Sequence, residues 1–290
     1  MTDHFLTTII RDSGMRSVVR LLLLTTLALV ISGCASNRPE EVLPEETYYK
    51  NARQAMNAGN FTRAEQNLGY LETYYPFGRY AEQAQLDLIY ARYQNLDLEG
   101  ARSAADRFLR LNPQSEHGDY ALYMRGLASY NLDLGLASRY LPVDVDAREP
   151  GEQRQAFQDF SQLLSRYPDS QYAPDARQRM ISIRNRLAAL EIRAARYYIK
   201  RQAYVAANKR AAYVIENYPR TPSVEEALII LAETSQRLDL DKPAKDAIAL
   251  LRVNFPNSRA FDQEGKFRSS LPKNERRSLL SVVTFGMLGD

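Results

Sequence analysis

One stretch of the sequence decides the fold: AEQNLGYLETYYP, residues 64–76. Small or apolar side chains at Ala64, Leu68 and Leu71 recur at the spacing that places them on one face of an α-helix. Pro76 follows, and because proline disfavours helical backbone in the residue before it, the helix is predicted to end there. The stretch therefore predicts a short helix with one buried face and a fixed end.

The same pattern recurs four more times along the chain. An alanine stands the same distance before a proline in Ala101/Pro113, Ala156/Pro168, Ala207/Pro219 and Ala244/Pro256. Apolar or small residues again occupy the fourth and seventh positions after each alanine, namely Ala105, Phe108, Phe160, Leu163, Ala211, Val214, Ile248 and Leu251. A register that recurs five times indicates a repeat architecture, and each unit resembles the second helix of a tetratricopeptide repeat.

The intervals between successive prolines predict two irregularities. They are 37, 55, 51 and 37 residues. The 55-residue interval carries Gly135, Pro142 and Pro150 in its middle, which predicts a loop over residues 133–149. The 51-residue interval contains a long run without glycine or proline, which predicts one long helix over about residues 174–200. Such a helix can hold two groups of repeats at a fixed angle.

We therefore expect an all-α protein, a tetratricopeptide-repeat α-solenoid of five helix pairs (about ten helices) with one long bridging helix. An apolar stretch near the end, residues 279–285, fits a docking segment and a frayed end equally well. The predicted divisions are a signal peptide at 1–33, an acylated cysteine and flexible tether at 34–46, repeats one to three at 47–168, the bridging helix with repeats four and five at 169–256, and a C-terminal tail at 257–290.

The N-terminus has the features of an export signal. Arg16 and Arg20 precede an apolar run, residues 21–31, which is too short to span a membrane as a helix but suits the core of a signal peptide. The run leads into Val-Ile-Ser-Gly-Cys, which resembles the bacterial lipobox. The resemblance implies acylation of Cys34 and, with Ala35 next, sorting to the outer membrane. The alternative is an ordinary secretory signal in which the cysteine stands by chance.

Composition excludes several other classes. The 290 residues carry a formal net charge of +3 and no basic stripe, which argues against nucleic-acid binding. One cysteine allows no internal disulfide, and the chain has no Cys/His metal framework, so we expect no cofactor. A catalytic reading would depend on His117 alone in a polar turn, so we expect no enzyme. Both Met1 and Met15 fit the start of translation.

Two stretches carry a more specific resemblance. They begin at Tyr74-Tyr75-Pro76-Phe77-Gly78-Arg79-Tyr80 and at Arg107-Phe108-Leu109-Arg110-Leu111-Asn112-Pro113. With the lipobox in front, the chain resembles the BamD (ComL) family of outer-membrane assembly lipoproteins over about residues 34–256. The resemblance implies a lipid-anchored protein on the periplasmic face of the outer membrane of a Gram-negative bacterium. It also implies three protein partners, namely BamA through its POTRA domains, BamC and BamE, and binding of unfolded outer-membrane barrel proteins.

Aromatic residues gather in the first two units. Tyrosine offers broad contact area at low entropic cost, so a peptide-binding surface is predicted at Tyr75, Phe77, Arg79, Tyr80 and Tyr90. Arg79 could meet a terminal carboxylate through two hydrogen bonds. The same aromatic residues also fit packing between helices, and Arg79 also fits a solvated surface charge.

The fourth unit carries the predicted partner surface. Its segment 204–210 resembles the family segment in which an arginine pairs with an acidic residue of a BamA POTRA domain, and Arg210 holds the matching position. Arg201 and Lys209 lie close in sequence and extend the predicted surface. Asn208 departs from the family pattern, which has an apolar residue more often at that position. A plain surface charge remains the alternative for Arg210.

A second function fits the lipobox and the repeats equally well: an outer-membrane lipoprotein that scaffolds cell-wall synthesis or spaces the envelope. The stretch from Tyr75 to Ala91 and the segment around Arg210 separate the two hypotheses.

Overall fold

The five segments that share the repeat register form five helices, which end in the same way. In the computed structural model, which describes residues 42–134 and 151–271, these are α2 (Phe61–Tyr74), α4 (Leu98–Leu111), α6 (Gly151–Arg166), α8 (Tyr204–Asn217) and α10 (Asp241–Asn254). Each helix ends two residues before its proline. In four of the five helices the residue between has a φ of −124° to −135°, outside the helical range that proline disfavours in its predecessor.

Each of these helices is the second member of a pair. The first members are α1 (Glu45–Asn57), α3 (Ala81–Gln94), α5 (Gly118–Leu134), α7 (Ala173–Lys200) and α9 (Ser223–Arg237). The described residues therefore form five pairs and ten helices, which confirms the predicted all-α repeat solenoid. Every helix packs against the next one along the chain, and α3 also contacts α5, as α7 contacts α9.

Left-handed backbone closes the turn between the two helices of a pair. In the first pair Gly59 has φ +71°, a conformation that glycine adopts without steric cost. Leu96, Gln202 and Asp239 adopt φ values of +57° to +64° at the equivalent turns of the second, fourth and fifth pairs. Asn60 and Asp97 then cap the following helices through hydrogen bonds from the amides of Arg63 and Gly100.

The core runs along the array as a chain of clusters. The five register alanines are all buried, four of them completely and Ala244 at 4% exposure. Phe108 and Phe160 are the largest fully buried side chains and fill the second and third pairs. Helix packing through small residues at the repeated alanine position lets neighbouring helices approach closely.

The long helix α7 carries two successive core clusters. Its first half contributes residues from Ala173 to Leu187 to a cluster with α6. Its second half contributes residues from Ala188 to Ala195 to a cluster with α8 and α9. The predicted bridging helix is therefore present, but it is also the first helix of the fourth pair rather than an additional element.

The chain beyond α10 covers the end of the array. Phe261 and Phe267 pair through an isolated bridge, and Ala260 is buried against Leu228 and Leu251. The tail crosses back to α9, where the buried carboxylate of Glu233 accepts a hydrogen bond from the amide of Ser270.

Some sequence predictions concern residues that the structure does not describe. Residues 1–41, 135–150 and 272–290 lie outside it, and these include Cys34, most of the predicted loop and the apolar stretch 279–285. Within 42–134 and 151–271, no helix is both long and apolar enough to cross a membrane.

Candidate binding surfaces

The loop between α2 and α3 presents the most exposed aromatic side chain of the predicted peptide surface. Phe77 is 99% exposed, so none of its area is used in packing. Arg79 is also exposed, and its guanidinium lies 5.3 Å from the ring centre of Tyr80, a cation–π distance. Phe77 and Arg79 therefore remain available to a ligand.

Tyr80 holds this loop against the first helix. Its ring stacks on Tyr49 of α1 with centroids 4.4 Å apart, and its amide donates a 2.7 Å hydrogen bond to the carboxylate of Glu45. A Cβ on Gly78 would lie 2.2 Å from the same carboxylate, so a side chain there would displace the Glu45 carboxylate. Neither Tyr49 nor Glu45 is marked by the repeat register, so their role was not predicted.

Tyr75 and Tyr90, unlike Phe77, make contacts within the chain. The hydroxyl of Tyr75 donates to the carbonyl of Leu43, which ties the beginning of the described chain to the end of α2. Tyr90, 37% exposed, meets Phe61 edge to face at 6.0 Å. Tyr75 and Tyr90 therefore pack between elements, whereas Phe77 faces solvent.

The fourth pair places Arg210 in an ion pair within the chain. Its Nη1 donates to Oε2 of Glu191 on α7 at 2.8 Å. The Arg210 side chain is 46% exposed and Glu191 only 12%. Its hydrogen bond to Glu191, and the attraction of that charge, raise the pKa of Arg210, so the guanidinium stays charged. The ion pair holds it at the surface with most of its five N–H groups unused by Glu191.

Arg201 and Lys209 do not converge on Arg210. Arg201 follows the last residue of α7, and its guanidinium lies 5.0 Å from the ring centre of Tyr197. Because Glu191 lies ten residues earlier, the backbone of Arg201 is about 15 Å along the helix axis from that of Glu191. Lys209 is exposed beside Arg210 on α8. The predicted cations therefore mark an elongated surface rather than one pocket.

The departure at Asn208 is compensated by contacts between the fourth and fifth pairs. Its side-chain amide donates 2.9 Å hydrogen bonds to the hydroxyls of Thr234 and Ser235 on α9. Both of those residues are fully buried. A polar contact thus replaces the apolar one expected from the family pattern.

A polar network that links the second and third pairs was not predicted. Arg125 on α5 reaches Asp106 on α4 at 2.5 Å and Asp159 on α6 at 2.8 Å. Asp159 has a side chain only 2% exposed, and burial raises its pKa in spite of the attraction of Arg125. The repeat register gives no signal for such a contact, because the three residues belong to different helices.

No group of three or more potential metal ligands is present in the two described segments. His117 lies exposed in the turn before α5, where its amide bonds to the hydroxyl of Ser115.

Known proteins resemble the chain over most of its length. A family model described as "YfiO: Outer membrane lipoprotein" matches residues 42–250. An "Outer membrane protein assembly factor BamD" from Neisseria meningitidis serogroup B is 39% identical over 82% of this chain and 92% of its own length. A protein of the same name from Vibrio cholerae is also 39% identical, over 78% of this chain and 94% of its own.

Likeness to solved structures is much weaker. A tetratricopeptide repeat protein from Parabacteroides merdae has 15% identity and a TM-score of 0.34, covering 74% of this chain and 68% of its own. The family match spans nine of the ten helices in full and most of the tenth, and the curated relatives extend across both candidate surfaces. The chain therefore belongs to the YfiO family of outer membrane lipoproteins.

Proposed function

We propose that the protein is a non-enzymatic scaffold of the machinery that assembles β-barrel proteins in the outer membrane. The observation that carries this proposal is the similarity to curated assembly factors across the whole repeat array, with 39% identity over 82% of the chain. The fold supports a binding role, since stacked helix pairs offer long surfaces for peptides and protein domains.

Attachment to the membrane is assigned to Cys34. Acylation there would hold the repeats on the periplasmic face, and two or more acyl chains are needed for lasting anchorage. Replacing Cys34 by alanine should release the protein from the membrane fraction. Retention of the Cys34→Ala protein would contradict lipid anchoring at this residue.

We assign the binding of the POTRA domains of BamA to the fourth pair. Arg210 is the central contact, and Lys209 and Arg201 extend the surface around it. A half-exposed guanidinium that is already oriented loses little freedom when it binds a carboxylate. Exposed ion pairs contribute little, so Arg210 would matter only where the partner covers it. BamC and BamE are assigned as further partners on the family resemblance alone.

Two matched variants test this contact with the purified POTRA region of BamA. Arg210→Gln removes the cation, whereas Glu191→Gln removes the same internal ion pair but leaves the cation. Binding should weaken by roughly tenfold for Arg210→Gln and stay at least as tight for Glu191→Gln. Equal weakening in both variants would show that the ion pair acts through folding, and unchanged binding in both would place the interface elsewhere.

We assign the binding of unfolded barrel proteins to the first two pairs. Phe77 and Arg79 make the contact, and Tyr75, Tyr80 and Tyr90 support these two residues. A synthetic peptide from the C-terminus of a barrel protein should bind more weakly to Phe77→Ala and Arg79→Gln. Leu111→Ala is the matched control, because Leu111 is an exposed apolar residue at the end of α4. Equal affinity in all four proteins would remove this assignment.

A pull-down of the tagged full chain, with mass spectrometry, decides between the two hypotheses for the whole protein. Recovery of a POTRA-containing barrel protein supports the assembly scaffold. Recovery of cell-wall synthases without any barrel protein would overturn it in favour of the cell-wall scaffold.

A further inference from the structure

A cleft opens where the two core clusters of α7 meet. Leu187 belongs to the cluster with α6, and Ala188 begins the cluster with α8 and α9. Because α7 has 28 residues while α8 has only 14, α6 and α8 pack against different halves of it. The space left between α6 and α8 is a cleft of about 370 Å³ with Leu187 in its floor.

The cleft combines an aromatic surface with unpaired cations. Phe157 of α6 and the rings of Tyr213 and Tyr218 line it, the two tyrosines meeting edge to face at 5.8 Å. Arg154 and Arg184 stand at its walls. Among residues 42–134 and 151–271, no carboxylate forms an ion pair with either guanidinium, whereas ten other ion pairs exist there.

The two arginines differ in how they are held. Arg184 is half-buried and donates a 3.1 Å hydrogen bond to the carbonyl of Pro219, which fixes its guanidinium beside the cleft. Arg154 is exposed near the start of α6. An anchored cation and an exposed cation beside one apolar floor can meet a single carboxylate from two sides.

We propose that this cleft binds a segment of a partner protein in which an acidic side chain adjoins a large aromatic one. The aromatic side chain fills the floor between Phe157 and Leu187, and the carboxylate meets Arg154 and Arg184. The amides of Gln158 and Asn217, which also line the cleft, offer hydrogen bonds to the segment's backbone. The proposal is independent of the contact at Arg210, and it does not require the partner to be BamA.

A protein segment fits this site better than an anionic lipid does. Two separate guanidiniums differ from the broad cluster of four to eight basic residues that recognises anionic membrane surfaces. A volume of about 370 Å³ is at the small end for ligand pockets and suits one or two side chains rather than acyl chains.

The chain contains no tryptophan, which allows a direct test. The probe is the capped peptide acetyl-Gly-Gly-Trp-Asp-Gly-Gly-amide, whose fluorescence can be followed without a tryptophan signal from the protein. The full chain in mild detergent is titrated into this probe, and into matched peptides with Trp-Asn and Trp-Lys. The protein variants are the double substitution Arg154→Gln with Arg184→Gln, Leu187→Lys, and Arg110→Gln as a control at an exposed arginine of α4.

The Trp-Asp peptide should bind wild type and Arg110→Gln alike. It should bind the double variant roughly tenfold more weakly, as expected for the loss of charge-assisted hydrogen bonds. Leu187→Lys keeps the arginines but fills the floor, so it should weaken Trp-Asp and Trp-Asn together. Far-UV circular dichroism identifies any variant that has lost its helices.

Three results would overturn the proposal. The first is equal binding of the Trp-Asp and Trp-Lys peptides, and the second is unchanged binding of the Trp-Asp peptide by the double variant. The third is displacement of the Trp-Asp peptide by vesicles of anionic phospholipid but not by an excess of a tryptophan-free acidic peptide. The last result would assign the cleft to the membrane surface. None of these outcomes depends on whether BamA binds at Arg210, so the two proposals fail separately.

Discussion

Replacing Gly126 by alanine tests how closely the third helix pair is packed. Gly126 lies in α5, and a Cβ there would come 2.8 Å from Cε1 and 2.9 Å from Cδ1 of Phe160 on α6. Carbon atoms in contact normally lie about 3.5–4.0 Å apart. Phe160 is fully buried, so its ring cannot turn aside without disturbing its neighbours. Gly69 in α2 is the matched control, because a Cβ there meets nothing within 4 Å.

The two substitutions share one free-energy term and differ in the other. Alanine in a helix interior is favoured over glycine by about 1 kcal/mol. At Gly69 that gain stands alone, so the free energy of unfolding should rise by about 0.5–1 kcal/mol. At Gly126 an overpacking cost of about 1–3 kcal/mol opposes it. Gly126→Ala should therefore be less stable than Gly69→Ala by about 1–3 kcal/mol, the cost of the clash alone.

Urea denaturation of both variants and wild type, followed by far-UV circular dichroism, measures the difference. The slopes of the unfolding transitions must agree, because repeat arrays can unfold in parts and a changed slope would invalidate the comparison. Equal stability of the two alanine variants would refute the packing argument, since it would mean that α5 and α6 can separate at no cost.

Three further predictions concern other parts of the array. Asn208→Leu should lower the free energy of unfolding by about 1–2 kcal/mol through the loss of two hydrogen bonds, and adding Thr234→Val should restore part of it in the same urea assay. Leu96→Gly should raise stability by about 0.5–1 kcal/mol, because glycine relieves the left-handed backbone at φ +64°, and an unchanged urea midpoint would argue against strain there. Burial and a 2.8 Å hydrogen bond to Asp175 raise the pKa of Tyr123 to about 12 from 10.0. The folded state holds this proton more tightly than the unfolded chain, so stability is full below pH 10 and falls as pH rises towards 12. The melting temperature of Tyr123→Phe should therefore fall less than that of wild type as the pH rises over this range. An equal fall in both proteins would contradict the raised pKa of Tyr123.

The sequence alone predicted the parts of the fold that depend on local spacing. An alanine, two apolar positions and a proline identify the buried face and the end of a helix without reference to any partner. Ala64 and Ala101 are accordingly buried completely. The long helix was predicted over residues 174–200 and extends from Ala173 to Lys200, because helix length depends on an uninterrupted run of residues that tolerate helix.

Contacts between distant helices could not be predicted from spacing. Arg125 bonds to Asp159 across 34 positions, and nothing in either helix distinguishes these residues from other surface charges before the helices are packed. The partners of Asn208 were also missed, since nothing in the sequence distinguishes Thr234 and Ser235 from other small polar residues of a helix. The same limit applies to Arg210, whose internal partner Glu191 belongs to another helix.

The strongest candidates for binding lie in two places, the loop after α2 and the cleft beside α7. In a regular unit the face that carries the alanine packs against the neighbouring helix, and the outer face is solvated. Such a unit presents few side chains that could recognise one particular partner. These two places differ from this rule: the loop after α2 leaves Phe77 without any packing, and the lengthened α7 separates α6 from α8 beside two guanidiniums that form no ion pair among the described residues. Shortening α7 by whole helical turns would rejoin α6 and α8 and close the cleft while keeping every register alanine in place. Binding at the cleft should therefore depend on the length of α7, whereas folding of the first three pairs should not.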